Sequence, residues 1–158
     1  MTSRPIRRRG IARDRRGQAL VEFAVVAPLF FFMLFAIIDF GRYVYYVQIL
    51  NNAAREGARY AIVNGDASFT PVGPAADDPK VEAVVKNYAV GVIGSDAVFD
   101  IHSCWKKKED CPDPAKLPSN HRGQPVSVWV TYDFHPVIPL IPIPGITITG
   151  ESTLVINH

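Results

Sequence analysis

Cysteine is scarce in this chain, with only Cys104 and Cys111 among 158 residues. Two cysteines allow at most one internal disulfide, and adding His102 and His121 gives no familiar zinc-ligand spacing. The sequence also lacks a phosphate-binding glycine loop and a G-x-S-x-G motif, and its serines, histidines and aspartates have no recognisable catalytic spacing. We therefore predict a protein that is not an enzyme and that has no catalytic residue, bound metal or cofactor.

Acidic residues are rare near the N-terminus. Residues 1–17 contain seven arginines and one acid, Asp14, which gives a net side-chain charge of +6. Because the whole chain carries +2, the remaining residues sum to −4. A basic segment before an acidic body indicates either a topology signal or an arm that binds nucleic acid.

An apolar run distinguishes these two interpretations. Residues 19–38, ALVEFAVVAPLFFFMLFAII, are apolar on every side of a helix and include one charged residue, Glu22. Twenty helical residues rise about 30 Å, the thickness of the hydrocarbon core of a bilayer. We predict a transmembrane helix with its arginines in the cytoplasm and no nucleic-acid partner. A removed secretory or twin-arginine signal is disfavoured, because no small-x-small cleavage site follows the run.

Helical spacing continues beyond the apolar run and predicts one helix over residues 18–64, kinked but not ended by Pro28. Large residues near the membrane give way to alanine and glycine, so the backbone of a sheet or of another helix can approach closely. The chain then divides into four zones: a basic leader (1–17), a transmembrane helix (18–38), an extramembrane continuation (39–64) and a small extracytoplasmic domain (65–158).

The sequence of this domain predicts an α+β fold, with a short helix and about three antiparallel strands packed on the long helix. Asp78-Pro79 is typical of a helix start, and one face of that helix carries Val81, Val84, Val85, Tyr88 and Ala89. Alternating apolar residues predict strands at 97–102, 125–134 and 146–156, with Gly150 as a bulge or bend in the last.

The stretch RRGQALVEF, residues 15–23, places a carboxylate just inside the membrane segment, where a charge is costly. Glu22 has two interpretations. It is either an acid near the headgroups, stabilised by the helix dipole and nearby arginines, or a group with a function.

The complete pattern resembles the prepilin processing signal: a basic leader, Gly17, Glu22 five residues later, Phe23 and a span of bilayer length. This resemblance implies that an intramembrane prepilin peptidase cuts after Gly17 and makes Gln18 the new N-terminus. Glu22 would then neutralise the new α-amino group, in its own chain or in a neighbour in a filament. Phe23 departs from the tyrosine that is more usual in major pilins.

A wider segment is similar to the N-terminal module of the TadE family, the pseudopilin-like proteins of tight-adherence (Flp) pilus systems. The residues that carry this resemblance are Gly17-Gln18-Ala19, Glu22-Phe23, Pro28, Asp39-Phe40-Gly41-Arg42 and the run from Asn52 to Arg59. The resemblance implies a pilin-like helix and a minor pilin or pseudopilin of the inner membrane. Its partners would be the bilayer, prepilin peptidase, other pilins and the pilus assembly platform.

Residues outside the processing signal have structural interpretations with open alternatives. Asp39 and Arg42 are three apart and predict a pair at the membrane exit, beside an aromatic belt of tyrosines. Cys104 and Cys111 bracket CWKKKEDC and predict a disulfide if the domain lies outside the cytoplasm. That loop is either a solvated tip or a contact for anionic partners.

The segment HPVIPLIPIPG, residues 135–145, favours extended backbone whose apolar side chains need cover. It either packs on the long helix or is exposed as a binding strip for another pilin. For the whole chain, an unprocessed membrane-anchored binding module is the main alternative to a minor pilin. An anchored envelope enzyme is a third, weakened by the missing catalytic residues.

Overall fold

The computed structural model describes residues 15–94, 97–111, 118–137 and 145–157. Most of the basic leader and residues 138–144 of the proline-spaced segment therefore lie outside the described residues. A long helix, a shorter helix and a three-stranded antiparallel sheet make up the described fold, which confirms the predicted α+β class.

The long helix α1 spans Arg15–Val63 without interruption and includes Pro28. Its 49 residues correspond to a length of about 73 Å. It begins three residues before the predicted start and ends one residue before the predicted end. The outer half packs on the sheet and on the second helix through mostly small buried residues: Leu50, Ala53, Ala54, Gly57, Ala58 and Ala61. These small side chains thus allow the sheet and the second helix of the same chain, which together form its body, to pack closely on α1.

The second helix α2 spans Pro79–Ile93, and the Asp78 carboxylate caps it by accepting the backbone N–H of Lys80 at 2.9 Å. Val81, Val85 and Ala89 of the predicted apolar face are fully buried, but Tyr88 is exposed. The expectation for Tyr88 was wrong, because the contact with α1 is narrower than the full apolar stripe. A methyl group on Gly57 of α1 would overlap Val85, so the two helices approach closely there.

The sheet contains β1 (Phe99–Cys104), β2 (Pro125–Phe134) and β3 (Ile146–Val155), in the order β1-β2-β3. The predicted bounds of β2 are confirmed, and β3 ends one residue early. β1 begins and ends two residues later than its alternation predicted. β2 and β3 form a hairpin whose ends pair Phe134 with Ile146, and a short 3-10 helix, Lys108–Asp110, follows β1.

Gly150 is not a bulge or bend, contrary to the expectation from the sequence. It pairs with Val130 in an unbroken register between β2 and β3. A Cβ at this position would lie 2.5 Å from the backbone nitrogen of Asn51 and would also overlap Leu50. Glycine is therefore required because the backbone of α1 crosses directly over the strand.

Trp105 lies in the core with 1% of its surface exposed, so it does not belong to a solvated loop tip. Its ring covers Gly73, where a Cβ would collide with the indole. Lys108, from the lysine run of the same loop, forms an ion pair with Glu151 and lies 5.7 Å from the Trp129 ring centroid. The loop thus folds back onto the outer face of the sheet, away from α1.

Candidate functional site

The predicted processing site lies in the first turn of α1. Gly17 is helical, and a Cβ added to it would meet nothing within 4 Å. The side chain of Gln18 donates to the Glu22 carboxylate at 3.2 Å, one turn along the helix. Gln18, Glu22 and Phe23 are all exposed, so the rest of the chain covers none of them.

The helix beyond this site presents a long bare apolar surface. Every residue from 18 to 35 is at least partly exposed, and Phe23, Val25 and Leu29 each expose about two thirds of their area. Its most apolar 18-residue window has a mean hydropathy of 2.5, and none of it is buried against the body. Within the described residues, this is the one helix long and apolar enough to cross a membrane. It fits a membrane-anchored protein.

The predicted membrane-exit pair forms. Arg42 donates to the Asp39 carboxylate at 3.1 Å across three residues of α1. Asp39 is only 6% exposed, and it also accepts the backbone N–H of Val137 with both oxygens, at 2.9 and 3.1 Å. A buried carboxylate is stabilised when such donors replace its lost hydration. Asp39 thus forms a tertiary clamp between α1 and the segment after β2, which the sequence did not reveal.

Arg42 lies between the Asp39 carboxylate and the aromatic rings of Tyr46 and Phe134. Its guanidinium is 5.3 Å from the Phe134 ring centroid and 5.7 Å from that of Tyr46. A hydrogen bond with Tyr46, reinforced by Asp39, raises the pKa of Arg42 despite the opposing effect of burial. Tyr43 and Tyr46 are half-buried against Phe134, whereas Tyr45 is exposed, so only part of the tyrosine belt faces outward.

The disulfide between Cys104 and Cys111 is present, with Cα atoms 6.1 Å apart. It closes the short loop that contains Trp105 and Lys108. Neither cysteine is therefore available as a zinc ligand, and the described residues contain no cluster of histidine, cysteine or carboxylate side chains that could hold a metal ion.

A second polar network ties the loop before α2 to β1. Asp77 accepts the backbone N–H of Ser103 at 3.1 Å and pairs with His102 at 3.2 Å, while Asp100 pairs with the other ring nitrogen at 3.1 Å. Burial opposes a charge on His102, but the two carboxylates outweigh it and raise the pKa of the imidazole. Asp100 is two residues from His102 on β1, whereas Asp77 is 25 residues away and is brought to the ring only by the fold.

Comparison with known proteins yields a match for the N-terminal module. No curated protein and no solved structure matches the chain. The family model of the TadE-like protein matches residues 17–59, which confirms the resemblance over the segment that carries Gly17, Glu22, Asp39 and Arg42.

Proposed function

We propose that the protein is a minor pilin or pseudopilin that supports assembly of a tight-adherence pilus or a related secretion filament. It inserts in the inner membrane with the leader in the cytoplasm and the α+β body outside. Prepilin peptidase then removes the leader after Gly17. The apolar half of α1 packs among the helices of other pilins during assembly.

The observation that carries this proposal is the TadE-like segment on a helix whose apolar half is bare. Residues 17–59 match the family, and the large apolar side chains from Leu20 to Phe35 are exposed rather than packed on the body. Such a surface needs either lipid or other apolar helices as its surroundings. A pilin uses both, because it is stored in the membrane and then transferred to a filament.

The position of the Gly17–Gln18 bond fits cleavage by a peptidase. A protease requires an extended backbone, and this bond lies within the first described turn of α1. Glycine lowers helix stability by roughly 0.5–1 kcal/mol relative to alanine, which favours unwinding of that turn. The lack of neighbours around Gly17 leaves room for the enzyme.

Cleavage would create a positive charge at the position that Glu22 can neutralise. The new α-amino group has a pKa near 8 and is largely protonated at neutral pH. Glu22 lies one turn further along, and its contact with Gln18 shows that its carboxylate reaches back over this turn. An unpaired charge in an apolar bundle is costly, so the amine pairs with Glu22 of its own chain or of a neighbour. Pairing between chains would also set the register of the subunits.

The processing step is tested by expressing the full chain with and without an active prepilin peptidase. We expect mass spectrometry to find an N-terminal Gln18 only when the enzyme is active. Gly17→Trp should block the cut, whereas Gly41→Trp, at an equally open helix position, should leave it intact. Persistence of residue 1 with active enzyme would contradict the processing claim and favour an unprocessed membrane-anchored binding module.

A further inference from the structure

An apolar groove connects the transmembrane part of α1 to the end of the β2–β3 hairpin. Its volume is about 330 Å³, and Asp39 forms part of its wall. The other lining residues are Ala36, Phe40, Tyr43, Phe134, Pro136 and Ile146. Ala36 precedes Asp39 by one helical turn, so the groove begins inside the segment that is assigned to the membrane and extends onto the body.

The side chains around this groove are exposed although they are apolar. Phe40 exposes 69% of its surface, Val137 57% and Ile146 42%. Together with Pro136 they form a surface that we call the sheet base. Val137 is fixed there by the bonds between its N–H and Asp39, and Ile146 by its pairing with Phe134.

The charges near the sheet base suit the boundary between hydrocarbon and headgroups. The Asp39 carboxylate accepts a hydrogen bond from Val137 and forms an ion pair with Arg42, so its charge is compensated at the wall of the groove. Arg42 and Tyr45 follow within two helical turns and are partly or largely exposed. Arginine and tyrosine just beyond an apolar surface are typical of the interfacial layer of a membrane.

We infer that the sheet base lies in the interfacial layer of the bilayer, with a phospholipid acyl chain in the groove. The inference rests on the membrane insertion of α1 in the proposed function. If Ala36 lies in hydrocarbon, groove residues beside it lie at a similar depth, because they line the same cavity. The body is then held to the membrane at two places, by α1 and by the hairpin end.

Site-directed nitroxide labels on the full chain test this inference, in nanodiscs of phosphatidylcholine and phosphatidylglycerol with one copy per disc. Because the native cysteines form a disulfide, Val137→Cys or Ile146→Cys supplies the one reactive thiol. Leu29→Cys provides a reference within the span. Gln124→Cys provides a reference at the opposite end of the sheet, roughly 30 Å away along β2.

We expect labels at Val137 and Ile146 to be accessible to oxygen and shielded from a water-soluble nickel complex, as at Leu29. Their oxygen-to-nickel accessibility ratio should be several-fold higher than at Gln124. Nickel accessibility equal to Gln124, with Leu29 still shielded, would overturn the inference and leave the membrane anchor intact. Nickel accessibility at Leu29 itself would contradict the anchor and thus the proposed function.

A matched pair of variants separates lipid contact from general effects on the fold. Ile146→Ser should reduce the shielding of a label at Val137, because it removes apolar surface from the sheet base. Val155→Ser changes a residue of similar exposure, 50%, at the far end of β3 and should have no effect. Shielding that appears only with two copies per disc would show that a second chain covers the base, and would overturn the assignment to lipid.

Discussion

The Asp39 carboxylate on α1 accepts the backbone N–H of Val137 at 2.9 and 3.1 Å, although the two residues are 98 positions apart. The contact joins α1, just beyond its apolar half, to the segment that follows β2. An acid three residues before an arginine on a helix is usually explained by the local ion pair alone. Here the acid also fixes the body on the helix.

Asp39→Ala should therefore loosen the hairpin end of the body. It removes the acceptor of a part-buried N–H and the partner of Arg42, and an unsatisfied buried group costs roughly 1–3 kcal/mol. We expect faster amide hydrogen exchange in a peptide that contains Val137. Asp39→Asn, which keeps one acceptor oxygen, should have a smaller effect. Glu56→Ala, which removes only an exposed pair with Arg59, is the control. Unchanged exchange in Asp39→Ala would contradict the clamp.

Local patterns predicted most of the elements, because each depends on its own residues. The alternation from Pro125 to Phe134 defines β2 at both ends, and Asp78-Pro79 marks the start of α2. Contacts between distant elements were not predictable in this way. The burial of Trp105 and the Asp39–Val137 clamp depend on how the sheet lies on α1, which no short stretch of sequence specifies.

Gly150 shows how the same limitation leads to a wrong interpretation. A glycine within a strand pattern indicates either a bulge or a close approach of another backbone, and the sequence does not distinguish the two. The same limitation applies to the candidate site. Spacing along one helix was enough to recognise Gly17, Glu22, Asp39 and Arg42. The sheet base was missed because Phe40 and Ile146 line one groove only in the folded chain.

Gly150→Ala should destabilise the body, because the added methyl group would collide with the backbone of Leu50 and Asn51 rather than with a movable side chain. Overpacking of this kind costs typically 1–3 kcal/mol. The midpoint of urea unfolding, followed by tryptophan fluorescence of the full chain in detergent, should fall. Gly91→Ala, in open space on α2, should raise stability slightly. An equal midpoint for Gly150→Ala and wild type would contradict the close approach.

Reduction of the Cys104–Cys111 disulfide should lower the stability of the body. The bond closes a loop across seven positions, and restriction of so short a loop in the unfolded chain contributes about 2.5 kcal/mol. Dithiothreitol should therefore lower the urea midpoint of the wild type. The double variant Cys104→Ser, Cys111→Ser should start at the lower midpoint and not respond. A wild-type midpoint insensitive to complete reduction would contradict this role.

The His102 network should make stability depend on pH. Asp100 and Asp77 raise its pKa in the native state above the unfolded value of about 6.5. The native state therefore binds the proton more tightly, so the contribution is fully present below about pH 6.5 and is lost as pH rises through the native pKa. Because 35% of the side chain is exposed, screening keeps the effect to a fraction of a kcal/mol.

His102→Gln should remove this pH-dependent part and leave the titration of the other groups. We expect the difference in urea midpoint between wild type and variant to be larger at pH 5.5 than at pH 8.5. The titration of the His102 ring can be followed directly by NMR, and a pKa at or below the ordinary histidine value would contradict the network. His135→Gln, at an exposed histidine beyond β2, is a suitable control.

Glu22 should matter for assembly and not for insertion or cleavage. Glu22→Ala and Glu22→Gln both remove the counter-charge of the new amine, and glutamine retains the size and hydrogen-bonding capacity of the side chain. We expect each variant to be cut after Gly17 but to enter sheared filaments at least about tenfold less than wild type, equivalent to about 1.4 kcal/mol. Phe23→Tyr, which leaves the charge in place, should assemble normally. Normal incorporation of Glu22→Gln would show that the carboxylate charge is dispensable and that Glu22 is only a helix-start acid.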